Sequence, residues 1–217
     1  VACAEEAMEL RESGISNRMV LLEGVFEPAE LELAAEQRLD IVVHNAQQID
    51  WLNTARLSRP LNAWLKVDTG MHRLGFAPEE LAQCFRELRA NRNIAEIVVM
   101  THFARADEPE QSMTGEQLAR FRSGLEGVDA PRCIANSAAA MAWPEAHGDW
   151  IRPGIMLYGA SPIGQPDLQA RLKPVMTFEA GLIAIRDLAP GESIGYGARF
   201  TCERPTRVGV VAAGYAD

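Results

Sequence analysis

Short apolar runs alternate with amphipathic segments along most of the chain. Val1–Cys3, Met19–Leu22, Ile41–Val43, Ala63–Val67, Ile97–Thr101, Arg132–Ala135 and Ile155–Tyr158 are brief runs, several rich in β-branched residues, as strands covered on both faces should be. The segments between them repeat at helical spacing. From Pro78 to Ala90, Leu81, Cys84, Phe85 and Leu88 recur at i, i+3, i+4 and i+7, with Pro78 suited to a first turn and Glu79 and Glu80 favourable to the helix dipole. Leu118, Phe121 and Leu125 repeat the pattern later. Strands separated by helices at intervals of roughly 20–35 residues predict βα units and a parallel sheet. The seven runs are one short of a (β/α)8 barrel, whose typical length of ~250 residues leaves room for a first strand before Val1. The rival is an open doubly wound sheet, but no G-x-G-x-x-G follows the early strands.

The rhythm breaks at SPIGQPDLQARLKP, residues 161–174, which carries three prolines and a glycine and reads as a linker. Beyond it Val175–Arg186, Ser193–Phe200 and Arg207–Ala213 are strand-like, with a turn at Ala189–Glu192 and no helical insert. The expected division is a partial barrel over 1–165, then a linker and the start of a β-rich domain over 166–217. The chain opens without a methionine inside one apolar run and stops straight after another, so a piece of a longer protein is expected.

Composition narrows the function classes. With 217 residues, 47% hydrophobic and 24% charged, the chain can bury a sizeable core and is unlike a disordered sequence. Twenty-one Lys+Arg against thirty Asp+Glu leave a net charge of -9, which opposes attraction to nucleic acid or anionic membrane. No apolar stretch approaches the ~18 residues of a membrane span. Cys3, Cys84, Cys133 and Cys202 show neither C-x-x-C nor Cys/His spacing, so no metal site and no disulfide framework is expected, and the default compartment is the reducing cytoplasm.

In a parallel barrel the chemistry sits where strands end and the next loops begin. WLKVDTGMHRLGF, residues 64–76, crowds Lys66, Asp68, His72 and Arg73 around Thr69 and Gly70; its bland reading is a solvated loop with one ion pair. THFARAD, residues 101–107, puts His102 at the mouth as a catalytic group or a structural hydrogen-bonder. IANSAA, residues 134–139, and WIRPGIMLYG, residues 150–159, make Ser137, Gly154 and Ile155 phosphate candidates, because small residues and backbone N–H groups bind phosphate there in such barrels. The plain alternatives are that Ser137 caps a helix and Gly154 turns the chain. Arg152 is a cation close to that phosphate.

Taken together, KVDTGMHRLGF, THFARAD, ANSAA, RPGIMLYG, IGYGARF and VGVVAAGYAD resemble the bacterial alanine racemases, pyridoxal-phosphate enzymes of fold type III. The resemblance runs in order along essentially the whole chain, and the combination is specific where each motif alone is weak. It implies a (β/α)8 barrel followed by a β-rich domain, pyridoxal 5'-phosphate as cofactor, alanine as substrate and a head-to-tail homodimer. At matching positions, Arg152 would bond the cofactor's ring nitrogen, Ser137, Gly154 and Ile155 with Asn136 beside them would hold its phosphate, and His102 would pack on the ring. Arg73 would sit near the substrate carboxylate, and Tyr215 would line the substrate entrance. Lys66 matches a lysine carbamylated in many members, which would turn a cation into a carboxylate able to fix Arg73.

Racemisation removes a proton from one face of Cα and returns it on the other, so two acid–base groups are needed. Tyr196, between Gly195 and Gly197, matches the tyrosine serving one face from the partner subunit; alone, it would read as a tyrosine packing a β-turn. The family's cofactor-linking lysine has no match, since the chain's two lysines, Lys66 and Lys173, match other places. Three readings follow from the sequence: alanine racemase, a broader or serine racemase on the same scaffold, and a cofactor-binding barrel without catalysis.

Overall fold

The computed structural model describes residues 1–169 and 171–214, and the chain divides into two compact units, Val1–Pro174 and Val175–Asp217. In the first, six strands lie side by side in chain order: β1 (Met19–Leu21), β2 (Leu39–Val43), β3 (Leu61–Lys66), β4 (Ile94–Met100), β5 (Arg132–Asn136) and β6 (Trp150–Arg152). Every neighbouring pair is parallel. Helices α1 (Ala4–Glu12), α2 (Ala29–Glu36), α3 (Ala46–Thr54), α4 (Leu81–Ala90), α5 (Met113–Gly124) and α6 (Ser137–Ala142) alternate with the strands. A doubly wound sheet reverses its strand order at a switch point. Here each strand extends the sheet in the same direction, the order of a barrel wall and not of the rival fold.

The period of two along each strand separates two layers. Ile41, Val43, Ala63, Leu65, Ile97 and Val99 belong to the main core, with Leu31, Leu52, Leu81, Leu88 and Phe121 from the helices. Burying each of these leucines contributes about 1.5–3 kcal/mol, and together they fasten the helices to the sheet. The alternate residues Val42, Trp64, Val98, Met100 and Cys133 form a second, smaller cluster on the opposite face. The register Val42 to Trp64 to Val98 places three of them in one row.

Towards the strands' N-terminal ends that inner face carries a neutralised polar group. Asp40 is 3% exposed and accepts from Arg18 Nε, from Asn62 Nδ2 at 2.9 Å and from Trp64 Nε1 at 2.8 Å. Arg18 also reaches Glu96 at 3.3 Å and lies 5.2 Å from the ring centroid of Trp150 and 5.9 Å from that of Trp64.

The predicted helix at Pro78–Ala90 forms as a 3-10 turn, Pro78–Glu80, leading into α4, whose buried face is Leu81, Cys84, Phe85 and Leu88. Two of the seven expected strands do not form. Val1 and Ala2 lie along the edge at β1, with Leu22 N–H donating to Val1 O at 3.0 Å and Glu23 N–H to Ala2 O at 3.4 Å, and α1 begins at Ala4. Ile155–Tyr158 is a 3-10 turn, and the strand is Trp150–Arg152 just before it. Pro153 has no N–H for a ladder, and Gly154 at φ -110°, ψ -93° leaves the extended region.

The proline-rich stretch after this turn packs back on the first unit. Ile163 is buried in the main core, Pro166–Gln169 makes one helical turn, and the Gln169 side chain bonds Ser161 N–H and Gly159 O. Gly159, at φ +85°, has the backbone of Lys173 so close that a Cβ would meet its carbonyl oxygen at 2.1 Å.

The second unit contains β7 (Leu182–Leu188), β8 (Ser193–Ile194), β9 (Phe200–Thr201) and β10 (Thr206–Val211). β7 pairs with β10 and β8 with β9, both antiparallel. The turn expected at Ala189–Glu192 separates β7 from β8.

Candidate active site

The C-terminal ends of the strands bring most of the sequence-derived candidates together. Lys66 ends β3 on the inner face and is 6% exposed, because the alternation that turns Leu65 into the core turns Lys66 the other way. The loop after it is shaped by Asp68, whose Oδ1 accepts from the N–H groups of Gly70, Met71 and His72 while Oδ2 meets His72 Nδ1 at 3.1 Å. Burial alone would raise the Asp68 pKa; the N–H donors from His72 and Gly70 and the neighbouring His72 outweigh it and lower it. Asp68 and His72 thus shape this loop. Gly75, at φ +130°, returns the chain so tightly that a Cβ would lie 2.6 Å from Asp68 N. Arg73 is thereby brought to a small cleft shared with Lys66, Met71 and His102.

Arg152 is the last residue of β6 and is held from β4 and β5. Its Nη1 donates to Cys133 O and Cys133 Sγ, both at 2.8 Å. Its Nη2 donates to Thr101 O at 2.6 Å and to His102 Nδ1 at 3.2 Å, with Ile134 O at 3.4 Å. A guanidinium only donates, so His102 Nδ1 accepts and the ring's proton sits on Nε2. Four of the five Arg152 N–H groups are spent, and Nε–H makes no hydrogen bond among the described residues.

Neighbouring charges agree with that tautomer. Burial first, then repulsion from Arg152, Arg73 and Lys66, lowers the His102 pKa to about 4, so the ring is neutral at pH 7. Burial and repulsion from Arg73 and Arg152 also lower Lys66, against attraction to Asp68 and Glu23. His44, at the end of β2, is lowered by burial and by Lys66, against a bond to Glu23 O. Among the described residues no carboxylate forms an ion pair with Lys66, Arg73 or Arg152.

Ser137 does not cap α6. Asn136 does, accepting from Ala139 N–H at 2.9 Å, which leaves the Ser137 hydroxyl to accept from Gly154 N–H at 2.8 Å and Met156 N–H at 3.4 Å. Gly154 faces open space, since an added Cβ would meet only Ser137 Oγ, at 3.9 Å. A Ser hydroxyl with its own proton to donate, a side-chain-free residue and a fixed guanidinium fit a phosphate ester joined to an aromatic base. Ile155 follows at half exposure in the 3-10 turn.

Tyr196 belongs to the second unit, at the tip between β8 and β9, where Gly195 (φ 70°), Gly197 (φ 75°) and Ala198 (φ 48°) fold the backbone and the tyrosine is fully exposed. Tyr215 lies outside the described residues. His44, Cys133 and Gln117 were not singled out from the sequence. His44 sits one residue past a strand and follows the strand-end rule used for His102, whereas Cys133 shows only as an inner-face position of β5. Gln117 is a polar residue on the buried stripe of α5, beside Leu118 and Phe121, and that mismatch is its signal.

Known proteins show the family of the chain. Residues 1–162 match the family model of the alanine racemase N-terminal domain, and residues 175–217 that of the alanine racemase C-terminal domain. The chain is 54% identical over 217 residues to an alanine racemase of Azoarcus sp. (strain BH72) and 50% identical over 218 residues to the catabolic alanine racemase of Pseudomonas aeruginosa. Each alignment covers all of this chain and 61% of the relative, so the chain spans about three fifths of their length. Among solved structures, the biosynthetic alanine racemase of Pseudomonas aeruginosa matches with a TM-score of 0.91 at 48% identity, over 100% of this chain and 61% of that one. The alanine racemase of Bartonella henselae with covalently bound pyridoxal phosphate matches with a TM-score of 0.83 at 29% identity, over the same shares. The chain belongs to the alanine racemase family.

Proposed function

We propose that this chain is part of an enzyme that interconverts L- and D-alanine with pyridoxal 5'-phosphate, by proton transfer at Cα between two acid–base groups. The observation that carries the reading is the way Arg152 is held, four N–H groups bound to protein and Nε–H open, beside a neutral His102. When bound, the cofactor would delocalise the charge left at Cα as its proton departs. Arg152 would donate to the ring nitrogen and, because a guanidinium keeps its protons, leave that nitrogen unprotonated, which weakens the ring as an electron sink and favours simple reprotonation. His102 would pack on the ring as an uncharged face. Ser137, Gly154 and Ile155, with Asn136 beside them, would bind the phosphate.

Arg73 would bind the substrate carboxylate, and Tyr215 would line the entrance. Tyr196 would be the base on one face of Cα, in a site completed across a homodimer. The lowered Lys66 pKa leaves more free amine, which adds carbon dioxide and loses a proton to give a carbamate; that anion would then face Arg73 and Arg152. In this scheme residues 1–165 are the cofactor-bearing part of the barrel, and 166–217 are the linker and the start of the β-rich domain. A cytoplasmic location completes the proposal, in keeping with a cysteine spacing that suggests no disulfide framework.

The test is chiral analysis of L-alanine incubated with pyridoxal phosphate and the protein extended to the full length of its relatives. D-alanine should accumulate. In Tyr196→Phe, racemisation in both directions should fall by about 100- to 10,000-fold with cofactor retained. No D-alanine would overturn the activity, and an unimpaired Tyr196→Phe would remove Tyr196 from it. Intact mass of the native enzyme shows whether Lys66 carries one added carbon dioxide.

A further inference from the structure

Gln117 lies on α5 with no exposed surface, at a place where the apolar stripe would take a hydrocarbon. A buried amide costs stability unless its groups are paired, so its partners are informative. Gln117 Oε1 accepts from Ala104 N–H at 3.0 Å, and Nε2 donates to His102 O at 3.2 Å and to Thr69 Oγ1 at 3.3 Å. The direction of the remaining bonds follows by counting protons. Thr101 Oγ1 gives its one proton to Val67 O at 2.9 Å, so it must accept from Thr69 Oγ1 at 2.8 Å. The Thr69 proton is then spent, and Thr69 accepts from Gln117. A single ordered chain results, Gln117 to Thr69 to Thr101 to Val67 O, and Thr69 and Thr101 are as buried as Gln117.

This chain crosses between two loops far apart in sequence. One, residues 68–75, follows Lys66 and carries Arg73; the other, residues 101–107, carries His102. Thr101 also supplies the carbonyl that holds Arg152 Nη2. The contact is close: a Cβ on Gly70 would lie 3.0 Å from Arg120 Nη1 and 3.5 Å from Gln117 Cγ, while Arg120 Nη1 donates to Thr69 O at 3.2 Å.

We infer that Gln117 is a positioning residue for the racemase reaction, holding the Arg73 loop and the His102 loop in one register through the ordered chain Gln117–Thr69–Thr101. Its side chain acts through the backbone of Ala104 and His102 and the Thr69 hydroxyl, and the inference rests on the racemase reading for its consequence in catalysis. The test compares Gln117→Met, Thr69→Val, their double variant and Thr69→Ser in the full-length enzyme. Amide hydrogen exchange over residues 68–75 and 101–107 is measured first, since it needs no substrate. Both loops should exchange about 10-fold faster in Gln117→Met and in Thr69→Val. With alanine, kcat should fall by about 10- to 100-fold in each, more than KM changes. The double variant should lose no more than the worse single variant, because the two share one chain. Thr69→Ser, which keeps the hydroxyl, should recover most of what Thr69→Val loses. Unchanged exchange in the loop distant from the substitution, additive losses, or a lowered melting temperature with kcat intact would each overturn the inference. If the parent enzyme shows no racemisation, the activity reading fails instead, and the exchange data alone decide whether Gln117 ties the loops.

Discussion

The two ends of the sheet's inner face treat charge in opposite ways. At the N-terminal end every charge has an answer: Asp40 accepts from Arg18, Asn62 and Trp64, and Arg18 also meets Glu96 and two indole faces. At the C-terminal end Lys66, Arg73 and Arg152 stand near one another without an ion pair among the described residues, and burial, with repulsion from the neighbouring cations, lowers Lys66 and His102. Both ends grow from the same strands, with Trp64 and Lys66 two residues apart on β3. A paired cluster is a fastening. An unpaired one costs stability and is retained where a ligand completes it.

The comparison predicts effects of different kinds at the two ends. The largest belongs to Asp40→Ala, which leaves Arg18, Asn62 and Trp64 without their shared acceptor; urea denaturation of the full-length protein should show a loss of about 3–5 kcal/mol, with activity per folded molecule retained. Arg152→Lys comes next and acts on function, because an ammonium cannot reproduce four held N–H groups and one open one; kcat/KM for alanine should fall by about 100-fold. A smaller fall than that of a peripheral variant such as Arg122→Lys would place Arg152 outside the site.

The pH dependence of stability separates the ends again. His102 titrates at about 4 when folded against 6.5 when free, so below pH 6.5 the unfolded chain binds a proton that the folded chain refuses. Stability should be full above about pH 6.5 and decline as pH falls from there to about 4. In His102→Gln this part of the decline should vanish from a series of denaturation curves. The smallest effect expected is that of Trp64→Phe, which keeps the ring in the inner cluster but removes the N–H bond to Asp40; a loss of about 1–2 kcal/mol should appear in the urea midpoint, with little change in kcat. A kcat loss as large as that of Arg152→Lys would show that the two ends are coupled through Trp64.

Much of this was legible in the sequence because much of it is local. Leu81, Cys84, Phe85 and Leu88 announced α4, and the runs from Met19 to Ala135 announced five of the six strands. The strand-end rule located Lys66, His102 and Ser137 at the mouth. Ile155–Tyr158 was misread because its apolar composition suits a strand, whereas Pro153 and the Gly154 backbone turn it into a 3-10 turn with exposed side chains. That shift has a consequence for the site, since it makes Arg152 the end of β6 and not a residue in the loop before a strand.

What the sequence by itself determined is therefore the βα order, the buried stripe of α4, and the family to which the motifs belong. These depend on periods of 2 and 3.6 residues and on short motifs, which act over one or two turns of chain. Only the tertiary structure decided who answers whom: that Arg152 spends its protons on Cys133, Thr101 and His102, that Asn136 and not Ser137 caps α6, and that Gln117 bonds Thr69. Those partners lie 19, 51 and 48 residues apart for Arg152–Cys133, Arg152–Thr101 and Gln117–Thr69. Parallel register brings them together, and no local pattern of residues encodes which carbonyl or hydroxyl a given donor will meet once the strands are side by side.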